Sequence, residues 1–117
     1  MSQLTITRRD AATGPVLEIA GDLDYASAPE LRDSLDGLAL ADGQLLILDL
    51  AGLDYCDSSG LTALLAARNL AAERSAHIAL ASVPADTMRI LSLTGLDRVF
   101  PLHSDASTTD VSHYRAG

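Results

Sequence analysis

Apolar and polar residues follow two different periods along the chain, and the change of period marks the predicted elements. Leu4–Thr7 and Val16–Ala20 alternate with the period of two that strands show, and a turn-like A-T-G-P segment separates them. We therefore predict an antiparallel hairpin at the start of the chain. Gln44–Leu50 is almost continuously apolar, which predicts a central strand covered on both faces of a parallel sheet.

Three further segments carry apolar residues at helical spacing. In the first of them, Ser27 and Glu30 have the spacing of a capping box with Pro29 in the first turn, so we expect the helix to begin there. The second segment follows an Asp-Ser cap, and the third begins with a proline and ends before a glycine. The predicted helices run over about 28–38, from Asp57 to about Ala72, and from Pro84 to Gly95.

Short apolar runs at Ile78–Ala81 and Val99–Leu102 predict two more strands, the second at a sheet edge because Pro101 cannot donate a ladder hydrogen bond. Strands that alternate with helices of this length favour an α/β fold with right-handed crossovers. We predict a mixed, mostly parallel sheet of about five strands begun by the antiparallel hairpin, with three to four helices. Its core spans about residues 4–102, and residues 103–117 form a weakly structured tail or a short helix.

The composition of the chain narrows the range of functions that it can have. The length of 117 residues fits one domain covering 1–117. Sixteen acidic residues against eight basic ones give a net charge of −8, which disfavours binding to nucleic acid and to anionic membranes. No apolar run is long enough for a membrane span, and the first residues lack a signal-peptide pattern, so we expect a cytoplasmic protein without membrane insertion.

Residue patterns that would indicate an enzyme are missing from the sequence. Ser58 and Ser59 are not set in the G-x-S-x-G form of a hydrolase elbow, and His77, His103 and His113 have no local relation to them. Phosphate-binding loops, dinucleotide fingerprints and His or Cys pairs at metal spacing are also missing. We predict that the chain is not an enzyme and uses no cofactor or metal.

Cys56 is the chain's single cysteine, so no internal disulfide can form. We expect it to be a small buried residue at the end of a strand.

Two loops stand out at the starts of helices. D-S-S-G at 57–60 places a hydroxyl where a helix begins, next to free N–H groups that tolerate a phosphate. G-D-L-D-Y-A-S-A at 21–28 leaves a strand with two acidic residues before its own helix. Taken alone, each segment is also explained as an ordinary turn with helix caps.

Together, G-D-L-D-Y-A-S-A-P-E-L at 21–31 and L-I-L-D-L-A-G-L-D-Y-C-D-S-S-G-L at 46–61 resemble the STAS family, named for sulfate transporters and anti-sigma factor antagonists. The resemblance extends from about Leu4 to Leu102 and includes S-L-T-G-L at 92–96. Within that family the chain most resembles a stand-alone anti-sigma factor antagonist. The resemblance implies the STAS fold, with an acceptor serine at the start of the second helix.

Several expectations come from this resemblance. The phosphorylated serine would be Ser58, with Ser59 as second choice. The partners would be an anti-sigma factor that is also a serine kinase, which holds a sigma factor, and a serine phosphatase of the metal-dependent type. The partner-binding surface would comprise Asp22, Asp24, Tyr25, Asp57, Ser58, Ser59, Gly60 and Thr62.

An alternative within the same family is a structural STAS subunit of a membrane lipid-transport ATPase complex, which would need no modifiable serine. For the antagonist, charge provides a hypothesis for the switch. A phosphate on Ser58 would add about −1.5 to −2 at pH 7 beside Asp57. If the Asp22–Asp24 loop lies alongside, the site would become crowded with negative charge and block the partner directly, with little refolding.

Overall fold

The computed structural model describes residues 3–106. Its first element is the predicted hairpin, in which β1 (Thr5–Ala11) pairs antiparallel with β2 (Gly14–Leu23). The register runs from Thr5 opposite Ala20 to Ala11 opposite Gly14. The hairpin prediction is confirmed, and β2 continues beyond the partner strand to Leu23.

The rest of the sheet is parallel. The remaining elements are α1 (Ala28–Asp36), β3 (Leu45–Asp49), β4 (Leu53–Cys56), α2 (Ser58–Glu73), β5 (His77–Ala81), α3 (Ala85–Thr94), a 3₁₀ helix (Leu96–Arg98) and β6 (Leu102–His103). Strand order is β1-β2-β3-β5-β6, and β4 pairs with the far end of β2, so the sheet has six strands within residues 3–106. The mixed, mostly parallel sheet begun by a hairpin is thereby confirmed.

The central strand β3 is buried on both faces, as its continuous apolar run predicts. Leu46 and Leu48 belong to the main core, whereas Leu45 and Ile47 belong to a smaller apolar cluster that also contains residues of β2 and β5. Because successive side chains of a strand point to opposite faces, the two clusters lie on the two faces of the sheet. All four side chains are buried.

The helices pack their apolar residues into the main core. Leu31 and Leu35 of α1 and Leu64 of α2 are almost fully buried. The third helix begins after Pro84 and ends at Gly95, whose left-handed backbone (φ 79°) is the conformation that glycine adopts most readily. Both predicted boundaries of this helix are therefore confirmed.

Two strand predictions need correction. The sequence reading missed β4, because Leu53–Cys56 has two exposed residues between two buried ones and so lacks strand alternation. The last strand is Leu102–His103, not Val99–Leu102. Phe100 is buried in the main core after the 3₁₀ turn, which takes the chain out of strand geometry until Leu102.

The predicted capping box at Ser27 and Glu30 is also wrong. Ser27 makes no side-chain cap hydrogen bond to α1. Its side chain bonds Asp24 instead: the Ser27 N–H donates to Asp24 Oδ1 (3.0 Å), and the Asp24 N–H donates to Ser27 Oγ (2.9 Å). This exchange is the reciprocal bonding of a capping box, placed three residues earlier, because a turn precedes the helix.

Between residues 3 and 106, none of the helices is long and apolar enough to cross a membrane. The predicted tail lies outside the described residues from 107 onward.

Gly60 allows α2 to begin close to the end of β2. A Cβ at this position would lie 2.5 Å from the Leu23 carbonyl oxygen and 2.7 Å from Cys56 Sγ. Both distances are shorter than any ordinary contact, and backbone cannot move aside at low cost. The sheet and the helix are thus held together at a position where only glycine fits.

We predict that Gly60→Ala lowers the free energy of unfolding by about 1–3 kcal/mol, despite the better helix propensity of alanine. Urea denaturation checks this value. Gly37→Ala is the matched control, because a Cβ there would have only the Asp33 carbonyl oxygen near it, at 3.8 Å. Equal unfolding free energies for the two variants would contradict the close approach described here.

Candidate functional site

The two loops singled out in the sequence meet at one edge of the sheet. Parallel pairing of β2 with β4 sets Asp22 opposite Tyr55 and Leu23 opposite Cys56, with a bulge between Gly21 and Asp22. Just beyond the paired strands, the Asp57 N–H donates to the Leu23 carbonyl (3.3 Å). The 21–28 loop and the D-S-S-G loop are therefore neighbours in space.

Asp57 caps the start of α2. Its backbone is extended, and its Oδ1 accepts a hydrogen bond from the Gly60 N–H at 3.0 Å. One turn further on, the Thr62 hydroxyl donates to the Ser58 carbonyl (2.9 Å). An acidic N-cap satisfies a backbone donor and complements the positive end of the helix. These bonds hold the backbone of Ser58 in a defined position.

The Ser58 side chain points outward from this rigid backbone. Ser58 is exposed, Ser59 is half-buried, and no hydrogen bond ties either hydroxyl to another residue within 3–106. Gly60 is buried, which places it behind the surface, whereas Thr62 is exposed. An exposed and unbonded hydroxyl at the first residue of a helix is suited to accept a transferred group.

The neighbouring loop is held in place by Ser27, a residue that the sequence reading did not assign to the site. The buried Ser27 hydroxyl lies 2.7 Å from the Asp22 carbonyl and 3.1 Å from Asp24 Oδ1. Together with the backbone bonds between Ser27 and Asp24, these contacts fix the loop between the two carboxylates. The D-x-x-S spacing of residues 24–27 is the signal that could have revealed this exchange.

Two tyrosines are exposed near the D-S-S-G loop. Tyr25 is 82% exposed in the turn after β2, and Tyr55 is 53% exposed on β4. Tyr25 belongs to the predicted site, whereas Tyr55 lies on the strand that the sequence did not predict and is not part of that site. The structure therefore brings all eight predicted residues to one edge of the sheet and adds Tyr55 and Ser27.

Known proteins resemble this chain in sequence and in fold. A family model described as "Mlab, STAS domain" matches residues 6–103. The chain belongs to the STAS domain family.

Among STAS relatives, the anti-sigma-F factor antagonist RsfB of Mycobacterium tuberculosis is 29% identical over 101 residues, covering 86% of this chain and 82% of the relative. An anti-sigma-B factor antagonist of Listeria monocytogenes is 26% identical over 84 residues, covering 72% and 74%. A crystal structure of an anti-sigma factor antagonist from Mycobacterium paratuberculosis superposes with a TM-score of 0.77 at 25% identity, covering 97% of this chain and 95% of that one.

The two histidines within residues 3–106 lie on strands other than the one that leads into the D-S-S-G loop. His77 begins β5, and in a parallel sheet the beginnings of strands lie at the edge opposite to their ends, where Ser58 is found. His103 is in β6, beside Ala81. Within residues 3–106, no group of His, Cys, Asp and Glu side chains is arranged to hold a metal ion.

Cys56 is buried at the end of β4, as predicted, between the two loops. Burial, with a smaller contribution from the Asp57 carboxylate, raises the pKa of the Cys56 thiol to about 11. The thiol donates weakly to the Asp57 carbonyl, with a sulfur–oxygen distance of 3.6 Å. The group therefore stays neutral at physiological pH and acts as a packing residue.

We predict that alkaline pH destabilises this STAS domain through Cys56. In the unfolded chain the thiol ionises near its ordinary pKa of about 8.5, whereas in the folded chain its pKa is about 11. The stabilisation is thus complete below pH 8.5 and is lost as the pH rises towards 11. Between pH 8 and pH 10 the free energy of unfolding should fall by up to about 2 kcal/mol from this group.

Urea denaturation of the wild type and of Cys56→Ala at both pH values isolates this contribution, since other titrating groups are common to both proteins. The difference between them should narrow at pH 10. An unchanged difference would show that Cys56 ionises equally easily in both states.

Proposed function

We propose that this STAS domain is an anti-sigma factor antagonist. In this proposal the unphosphorylated form binds an anti-sigma factor that is also a serine kinase, and this binding releases a sigma factor. Phosphorylation of Ser58 then ends the binding, and a serine phosphatase of the metal-dependent type restores it. The names of the relatives support the general role. The exposed, unbonded hydroxyl of Ser58 on a rigidly capped helix start is the observation that carries the proposal.

The domain acts in this scheme as a ligand and a substrate. Ser58 offers the acceptor hydroxyl, while phosphoryl transfer also needs ATP, Mg²⁺ and a group that orients or deprotonates the nucleophile. The described residues hold no metal-binding group. The kinase therefore has to supply these parts. Ser59 is the second choice of acceptor, and its partial burial makes it less accessible than Ser58.

The switch follows from the charges around the acceptor. A phosphoserine carries about −1.5 to −2 at pH 7. At residue 58 it would stand next to Asp57, whose carboxylate already bonds the Gly60 N–H, and beside the loop that carries Asp22 and Asp24. One helix-end donor is thus already taken by another anion. The added phosphate instead places a bulky, strongly hydrated group at the contact, which a partner can bury only by stripping away its water.

The same geometry argues against large refolding on phosphorylation. Ser58 is exposed, so its phosphate needs no space within the core. The bonds that hold the helix start involve the Asp57 side chain and the Ser58 backbone, which a phosphate on the side chain leaves in place. Phosphate therefore acts on the surface presented to the partner.

We predict that Ser58→Ala retains binding to the anti-sigma factor kinase of the source organism, whereas Ser58→Asp weakens it by at least about ten-fold. Calorimetric titration of the purified proteins measures both affinities. Incubation of the wild type with that kinase and ATP should add a single phosphate, read by intact mass, and Ser58→Ala should add none.

Thr62→Asp is a control for the position of the charge, because Thr62 is exposed one turn further along α2. It should affect binding less than Ser58→Asp. Equal binding by Ser58→Ala and Ser58→Asp would refute the role of Ser58. No phosphate on the wild type would favour the structural-subunit alternative.

A further inference from the structure

The chain places its few aromatic residues unevenly. Aromatic residues make up only 3% of the sequence, with one phenylalanine, three tyrosines and no tryptophan. Phe100 is buried in the main core. Tyr25 and Tyr55, the tyrosines within residues 3–106, are both exposed. Burying an aromatic ring stabilises a fold strongly, so rings left in water on a chain with so few of them are not explained by folding.

Both rings lie at the edge of the sheet that carries Ser58. Leu23 and Cys56 are paired across β2 and β4; Tyr25 follows Leu23 by two residues, and Ser58 follows Cys56 by two residues. Tyr55 precedes Cys56 on the same strand and is opposite Asp22. The turn that carries Tyr25 is held by Ser27, and Tyr55 is held by the strand ladder. Two exposed rings are thus presented on fixed backbone at the sheet edge that carries Ser58.

The surface around these rings is acidic. The segments 21–30 and 49–60, which lead into and out of this edge, contain six acidic residues and no lysine, arginine or histidine. The acidic residues are Asp22, Asp24, Glu30, Asp49, Asp54 and Asp57. Charge complementarity therefore favours a partner face with basic residues, whose side chains can also stack on the faces of the two rings.

We propose that Tyr25 and Tyr55 are the aromatic anchors of the interface with the kinase, and that they insert into apolar pockets rimmed by basic residues. This inference rests on the proposed function and names the residues that carry its binding energy. Tyrosine is enriched among the few interface residues that dominate affinity, because it brings a large apolar ring at low conformational cost. The acidic rim sets the rate of association, and the two rings set the rate of dissociation.

The two anchors also provide a route by which a phosphate on Ser58 would weaken binding. A phosphate on Ser58 would stand at the same sheet edge as the two rings and add charge where the partner has to exclude water from the ring contacts. Interfaces lose affinity when water or an unpaired charge enters around their anchors. The phosphate thereby weakens both ring contacts without moving either tyrosine.

The test uses full-length protein and the purified anti-sigma factor kinase of the source organism that adds one phosphate to the wild type. Binding is measured with ADP in place of ATP, so that no phosphoryl transfer occurs. We expect Tyr55→Ala and Tyr25→Ala each to weaken binding by about ten-fold or more, mainly through faster dissociation. Tyr55→Phe and Tyr25→Phe, which keep the ring, should stay within about three-fold of the wild type.

Leu93→Ala is the matched control, because Leu93 is an equally exposed apolar residue (80%) in the last turn of α3. It should bind like the wild type. Thermal unfolding shows that each variant is folded, since exposed residues contribute little to stability.

Failure of this inference is distinct from failure of the proposed function. If the tyrosine-to-alanine variants bind as tightly as the wild type, or if Leu93→Ala weakens binding equally, the anchors are refuted while the proposed function stands. Loss of binding in the phenylalanine variants would refute anchoring by the ring. If every anti-sigma factor kinase of the organism fails to bind and phosphorylate the wild type, the proposed function is refuted, and this assignment of the anchors with it.

Discussion

The pairing of the last residues of β2 with the short strand β4 is the constraint on which the site depends. It sets Leu23 beside Cys56, and the Asp57 N–H then bonds the Leu23 carbonyl. Gly60 can approach that same carbonyl only because it has no side chain. Strand pairing, loop and helix start are therefore one packed unit. Two loops that are some thirty residues apart in the chain become a single surface through it.

This unit combines a rigid buried interior with an exposed serine hydroxyl. Behind the surface, the buried Ser27 hydroxyl and the neutral Cys56 thiol fill space and satisfy backbone groups. In front of it, the Ser58 hydroxyl is exposed and unbonded within the described range. A group transferred to such a hydroxyl changes the charge that a partner meets while leaving the packing intact. The arrangement fits a protein whose regulation is read by another molecule.

The aliphatic core makes the exposed rings informative. Leu, Ile, Val and Ala fill both faces of the sheet, and Phe100 is the aromatic residue found in the main core. The tyrosines within residues 3–106 are instead exposed, at the sheet edge that carries Ser58. Acidic residues lie beside them on the chain.

Local pattern by itself determined most of the architecture. The hairpin, the doubly buried strand β3 and the ends of α3 at Pro84 and Gly95 all follow from periodicity and from residues with narrow backbone preferences. Such features depend on residues that lie within a few positions of one another, so the sequence alone predicts them. The motifs around Ser58 likewise indicated the family that the comparison established.

Only the tertiary structure decided how those parts combine. Strand β4 has too few residues and no alternation of its own, and it exists because the bulged end of β2 offers it hydrogen bonds. Ser27, which the sequence predicted as a helix cap, supports a loop instead, because the chain makes a turn before α1. The exposure of Tyr55 also follows from β4. These outcomes depend on contacts between segments that are distant in the sequence, and the local pattern of residues does not predict such contacts.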